Sequence, residues 1–122
     1  MLKTIEKFSP EKFELEKHPF SIKRLSTTIG AEIHDIDLSK DLNKEVQDHI
    51  YNALLTYKVI FFRDQDISTE QHMRFGQYFG ELEIHPFAPL GTNREDHPEV
   101  LRITHDEENK PKENAWHSDV TW

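Results

Sequence analysis

The stretch NKEVQDHIYNALLTYKVIFF, Asn43 to Phe62, decides the architecture. In its first fifteen residues Val46, Ile50, Ala53, Leu54 and Tyr57 recur at steps of three and four, as one buried face of a helix requires. Lys58 to Phe62 then forms a continuous β-branched and aromatic run, the pattern of a central strand buried on both faces. A helix feeding directly into a buried strand implies a mixed α+β domain with the helix packed on a sheet.

Working outward, Arg63-Asp64-Gln65-Asp66 ends the strand, and Arg63 with Asp64 reads as a structural ion pair. Ser68-Thr69-Glu70-Gln71 fits a capping box, and Phe75, Tyr78 and Phe79 give the second helix its apolar stripe before Gly80. Upstream, Phe20-Ser21-Ile22 and Thr27-Thr28-Ile29 lead into Gly30-Ala31-Glu32-Ile33, one or two strands around a Gly turn or bulge. Residues 1–19 are charged and end at His18-Pro19, which favours an extended or irregular arm over a helix. Residues 20–122 then form the domain.

Downstream, the segment from His85 to Pro98 contains Pro86, Pro89, Gly91 and Asn93 and reads as a long irregular loop, a candidate substrate lid or wall. Glu99 to Thr104 reads as a strand and His105 to Asn114 as a polar turn region. Asp106-Glu107-Glu108 lacks the alternating ligands and the Gly of a calcium loop. Trp116 to Trp122 alternates as a strand, with Trp116, Ser118, Val120 and Trp122 on one face and His117, Asp119 and Thr121 on the other. The pattern stops without a turn or cap, so a truncation is expected, with apolar surface and backbone groups left unpaired.

The 122 residues are 35% hydrophobic and 31% charged with eight Phe, a folded chain with a thin core. A net charge of -8 disfavours nucleic acid and acidic membrane surfaces as partners. With no Cys, this stretch has no disulfides, thiolate metal sites or Cys nucleophile. The N-terminus lacks the apolar core of a secretory signal, and the longest apolar run, Val59 to Phe62, is far too short to span a membrane. A cytoplasmic protein is the expectation.

Eight His raise the question of metal binding. In His117-Ser118-Asp119 the i, i+2 spacing on a strand puts imidazole and carboxylate on one face, two donors of a 2-His-1-carboxylate triad. Spacing alone decides nothing, since about 1.5 such His-x-acid triplets are expected by chance and three occur. Context separates this one: His97-Pro98-Glu99 contains Pro and His105-Asp106-Glu107 lies in a polar turn, whereas His117 and Asp119 have bulky residues on the opposite strand face. The bland reading is a solvated His and Asp on a half-exposed strand. His85 opens the long loop and could face a small anion or be a turn residue. His34, His49 and His72 are given no function, and no phosphate-loop, dinucleotide or nucleophile-elbow motif occurs.

Four ordered pieces, Ile29-Gly30-Ala31-Glu32-Ile33 with Asp37-Leu38, Val59 to Gln65, Phe79 to Pro86, and Asn114 to Trp122, together resemble the taurine dioxygenase (TauD/TfdA) family from about Leu25 to Trp122. The resemblance implies the N-terminal part of a double-stranded β-helix, or jelly roll, with flanking helices. It implies Fe(II), with 2-oxoglutarate and O2 as co-substrates, and hydroxylation of a small, anionic substrate with release of succinate and CO2. His117 and Asp119 would be the first two iron ligands, while the family's distal His and its 2-oxoglutarate Arg would lie downstream of Trp122. The 122 residues alone are therefore expected to be inactive and poorly stable, and a homo-oligomer of the full-length protein stays open.

His85 matches the family position that contacts an anionic head group in taurine-specific members, and Asn114 lies one place from a second such position. Ala88 stands where those members carry Tyr, and Glu113 where they carry Asn. A carboxylate aimed at an anion repels it, so an alkyl sulfate, a carboxylate or another sulfonate fits no worse than taurine. The alternatives to an enzyme are a non-catalytic truncated relative acting as an interaction module, or a cupin-like metal-binding protein without oxygenase activity.

Overall fold

The computed structural model describes residues 8–84, 93–94, 97–101 and 107–108. The chain divides into two compact units, 1–82 and 83–122.

In the first unit the helix expected from the apolar spacing is α2, Lys44–Tyr57, with Ile50, Ala53 and Tyr57 buried. Its N-terminus is fixed by the Asn43 side chain, which accepts from the Val46 N–H at 2.9 Å and satisfies one otherwise unpaired donor of the first turn. Lys58 ends it at φ +70°, its N–H bonded to the Leu54 carbonyl at 2.8 Å. That backbone, uncommon for a residue with a Cβ, turns the chain straight into the next strand.

Three strands, β1 (Ser21–Arg24), β2 (Ala31–His34) and β3 (Ile60–Phe61), form a sheet in the order β1-β2-β3. β1 and β2 are antiparallel, and β3 runs parallel to β2 with α2 as the crossover. β2 shows the period of two: Ala31 and Ile33 are buried while Glu32 and His34 face outward. The core joins these two residues to Phe20, Ile50, Ala53, Tyr57 and Phe13.

The strand expected to be central and doubly buried is two residues long, and Phe61 is exposed. Ile60 is half-buried and Phe61 exposed, so among the described residues the apolar run does not correspond to two covered faces. The Thr27-Thr28-Ile29 piece is a turn and not a strand, because Ser26 Oγ captures the Ile29 N–H at 3.0 Å. Gly30 follows at φ +94°, donating to the Tyr57 carbonyl at 2.8 Å and accepting from the Leu25 N–H at 3.0 Å.

The arm contains a helix, α1 (Pro10–Leu15), contrary to the irregular lead-in expected. Ser9 accepts from the Lys12 N–H, Pro10 opens the helix and Glu11 lies in its first turn, a start signal outweighed in the sequence by His18-Pro19. Phe13 anchors it in the core at 2% exposure. Arg24 of β1 reaches back to Glu14 at 2.8 Å and lies over the Tyr57 ring.

The second helix, α3 (Thr69–Gln77), starts with the expected capping box, Ser68 and Gln71 each accepting from the other's backbone N–H. It ends at Tyr78, short of Gly80, with a tightened last turn in which Phe79 N–H donates to the Gly76 carbonyl at 3.0 Å. In the second unit β4 (Asn93–Arg94) and β5 (His97–Leu101) pair antiparallel, Asn93 opposite Leu101 and Arg94 opposite His97. The segment expected to be wholly irregular up to Pro98 therefore includes strand, and the strand expected from Glu99 begins two residues earlier. Pro98 lacks an amide donor, which two-stranded pairing tolerates on an open edge.

Candidate functional site

The sequence assigns chemistry to His85, Asn114, His117 and Asp119, and all four lie outside the described residues, as do Ala88 and Glu113. Among the described residues no group of three His, Asp or Glu side chains could hold a metal ion. What can be followed in space is the framework that leads to the first of these positions, and it is built from the same sequence pieces that carried the resemblance.

Gln65 joins two of them. Its Oε1 accepts from the Leu38 N–H at 2.9 Å, and its Nε2 donates to the carbonyls of Ile36 and Arg63, each at 3.1 Å. One side-chain amide thus ties the Asp37-Leu38 segment to the chain leaving β3, using both its acceptor and its donors. Asp37 folds its own loop: its Oδ1 accepts from the Ser39 N–H and hydroxyl at 2.9 and 2.6 Å. The Ser39 hydroxyl, more than any other group, holds the Asp37 carboxyl below the usual carboxylate range.

The sequence suggested that Arg63 pairs with Asp64; instead Arg63 Nε meets Glu32 Oε1 at 3.1 Å, across 31 residues. Asp64 takes a left-handed backbone, φ +54°, that turns the chain after Arg63. Glu32 also approaches His34 through its other oxygen, at 3.2 Å, and the hydrogen bond from Arg63 keeps its carboxyl below the ordinary value. Arg63 and His34 are exposed to solvent around the half-buried Glu32, so the triplet's contribution to stability is small.

α3 is tied to the same loop. Arg74 donates to the carbonyls of Ser39 and Leu38 at 2.8 and 3.4 Å and meets Asp41 at 3.1 Å, while the Leu42 N–H donates to the Tyr78 hydroxyl at 3.4 Å. Beyond the helix, Leu82 closes onto Gly76: a Cβ there would stand 3.0 Å from Leu82 Cδ2. Gly76 therefore sets how closely Leu82, three residues before His85 in the chain, can approach α3. Sequence reasoning missed Arg74 and Gly76 because their partners are backbone carbonyls and a leucine methyl far from any motif. Gln65 was legible as part of the strand end and of the Val59-to-Gln65 piece of the resemblance, but not as a tie to Leu38.

Comparison with known proteins gives this framework a context. The profile of the family described as "Taurine catabolism dioxygenase TauD, TfdA family" matches residues 21–122. The chain is 35% identical over 117 residues to the alpha-ketoglutarate-dependent sulfate ester dioxygenase of Pseudomonas putida, covering 93% of this chain and 35% of that protein. It is 33% identical over 102 residues to the alkylsulfatase of Acinetobacter baylyi, covering 83% and 31%. A taurine dioxygenase structure from Burkholderia xenovorans superposes with a TM-score of 0.61 at 40% identity, over 67% of this chain and 29% of that one. The chain spans about a third of the length of the curated relatives it matches.

Proposed function

The chain belongs to the TauD/TfdA family, and from that membership we propose that it forms the N-terminal part of a jelly-roll dioxygenase dependent on Fe(II) and 2-oxoglutarate (alpha-ketoglutarate). The observation that carries the reading is the family match over residues 21–122, which includes His117-Ser118-Asp119. Imidazole and carboxylate are the donors that suit Fe(II), and on the strand expected from the sequence pattern i, i+2 would give them a common face, so the donor set fits two of the three positions of a facial triad. Bound there with 2-oxoglutarate and O2, the iron supplies the oxidising power for C–H hydroxylation, with release of succinate and CO2.

The chain's own residues do the rest. His117 binds as the neutral imidazole and Asp119 as the carboxylate, so metal binding weakens as either is protonated. His85 offers an N–H or a positive charge to an anionic head group, and Asn114 a side-chain amide. Two relatives are named for sulfate esters, an alkylsulfatase and a sulfate ester dioxygenase. On the strength of those two relatives we favour a sulfate ester, in which the reacting carbon bears a sulfate leaving group, over taurine. A cytoplasmic location belongs to the same proposal; no helix among the described residues is long and apolar enough to cross a membrane.

Succinate release from 2-oxoglutarate, measured with the full-length protein across alkyl sulfates, sulfonates and carboxylates, tests this. Turnover stimulated most by an alkyl sulfate and abolished by His117→Ala is the expected result. Equal background rates for every acid, or turnover surviving His117→Ala, would overturn it.

A further inference from the structure

We propose that the N-terminal helix is a proton-sensitive latch, docked on α2 while His18, packed against His49 of that helix, is neutral and released when His18 takes up a proton. The geometry is an aromatic cage. Phe13, at 2% exposure, is the anchor of α1. The His18 ring lies 4.3 Å from the Phe13 ring and stacks parallel to Phe20 at 6.1 Å. His49, from α2, meets His18 edge-on at 5.8 Å and stands 6.2 and 6.4 Å from Phe13 and Phe20. Two imidazoles and two phenyl rings thus form the seam between the arm and α2.

Neither imidazole has a carboxylate partner in this seam. His49 Nδ1 lies 2.9 Å from the Glu45 carbonyl, so Nδ1 carries the proton and donates it. His18 Nδ1 is buried and makes no well-formed hydrogen bond. Protonating the ring would put a positive charge beside a second imidazole and two hydrocarbon rings. Burial first, and then His49, push the His18 pKa below its ordinary value, whereas Glu16 at the end of α1 and the Phe13 carbonyl pull weakly the other way. From β1, Arg24 is engaged with Glu14 and adds no negative charge.

The sign follows. In the docked state His18 binds its proton less readily than in the released arm, whose His titrates near about 6.5. The released state therefore holds more protons, and docking is complete above that value. As pH falls through it, docking weakens by at most about tenfold per pH unit for each proton taken up.

Amide hydrogen exchange on the full chain, corrected for intrinsic rates, reads this at the Phe13 and Glu16 amides, which bond to the Ser9 and Phe13 carbonyls. Between about pH 7.5 and about pH 5.5 their protection should fall by up to about tenfold, while amides of Ile50 to Tyr57 in α2 keep theirs. His18→Phe, which keeps a ring in the cage, should make the arm's protection independent of pH. His49→Gln should shrink the dependence and serves if the first variant does not fold. Unchanged protection in the wild-type arm, loss shared equally by α2, or full pH dependence retained in the variants would overturn the latch.

Discussion

The two short helices on either side of α2 are held by opposite means. α1, six residues, buries Phe13 almost completely; α3, nine residues, has no buried residue. α3 is kept in place by its capping box, by Arg74 and Tyr78 on the loop of Leu38 to Leu42, and by the Phe75 ring edge-on to Phe62 at 5.3 Å. The difference teaches where each is vulnerable. A helix fastened by one buried ring fails when that ring is removed or when charge enters its seam, whereas one fastened by many polar ties weakens in small steps.

The comparison can be broken at its strongest point by Phe13→Ala. Removing this buried ring should cost about 3–4 kcal/mol, read from the denaturation midpoint, and should unprotect α1 while α3 amides exchange as before. Gln65→Ala is next. Leaving the Leu38 N–H and the Ile36 carbonyl, both in part-buried bonds, without their partner should cost about 2 kcal/mol. It should raise exchange at Leu38 without freeing the arm. Ser68→Ala removes the cap of α3 and should cost about 1 kcal/mol. Lys58→Gly should go the other way, raising stability by about 0.5 kcal/mol, because φ +70° is strained for Lys and open to Gly. A large loss from Ser68→Ala, or a negligible one from Phe13→Ala, would mean the two helices are not held as described.

Periodicity found what repeats, and contact across the chain decided what does not. α2 and the α3 capping box were legible because each is encoded within about four residues of itself. β3 was legible as a strand but not in its burial, since the same apolar run serves a strand covered on one face or two. α1 was missed although Ser9, Pro10 and Glu11 spell a helix start; its stability comes from Phe13 reaching a core made by residues far downstream. The Arg63 partner was misread for the same reason: Asp64 is adjacent in sequence, but the turn at Asp64 leaves Arg63 facing Glu32 on β2. For the candidate site, the legible part was the set of four ordered pieces. Two of them, Ile29 to Ile33 with Asp37-Leu38 and Val59 to Gln65, prove to be fastened together by Gln65, and so belong to the scaffold. The pieces assigned to chemistry, at His85 and from Asn114 to Trp122, lie outside the described residues.

The central claim is that His117 and Asp119 hold Fe(II) beside 2-oxoglutarate. Its most direct test is the visible absorption of the anaerobic full-length protein on adding Fe(II) and then 2-oxoglutarate, compared with Asp119→Ala. The account predicts a charge-transfer band that needs both additions and is lost in the variant. No band in the wild type, or a band of equal strength in Asp119→Ala, would contradict it.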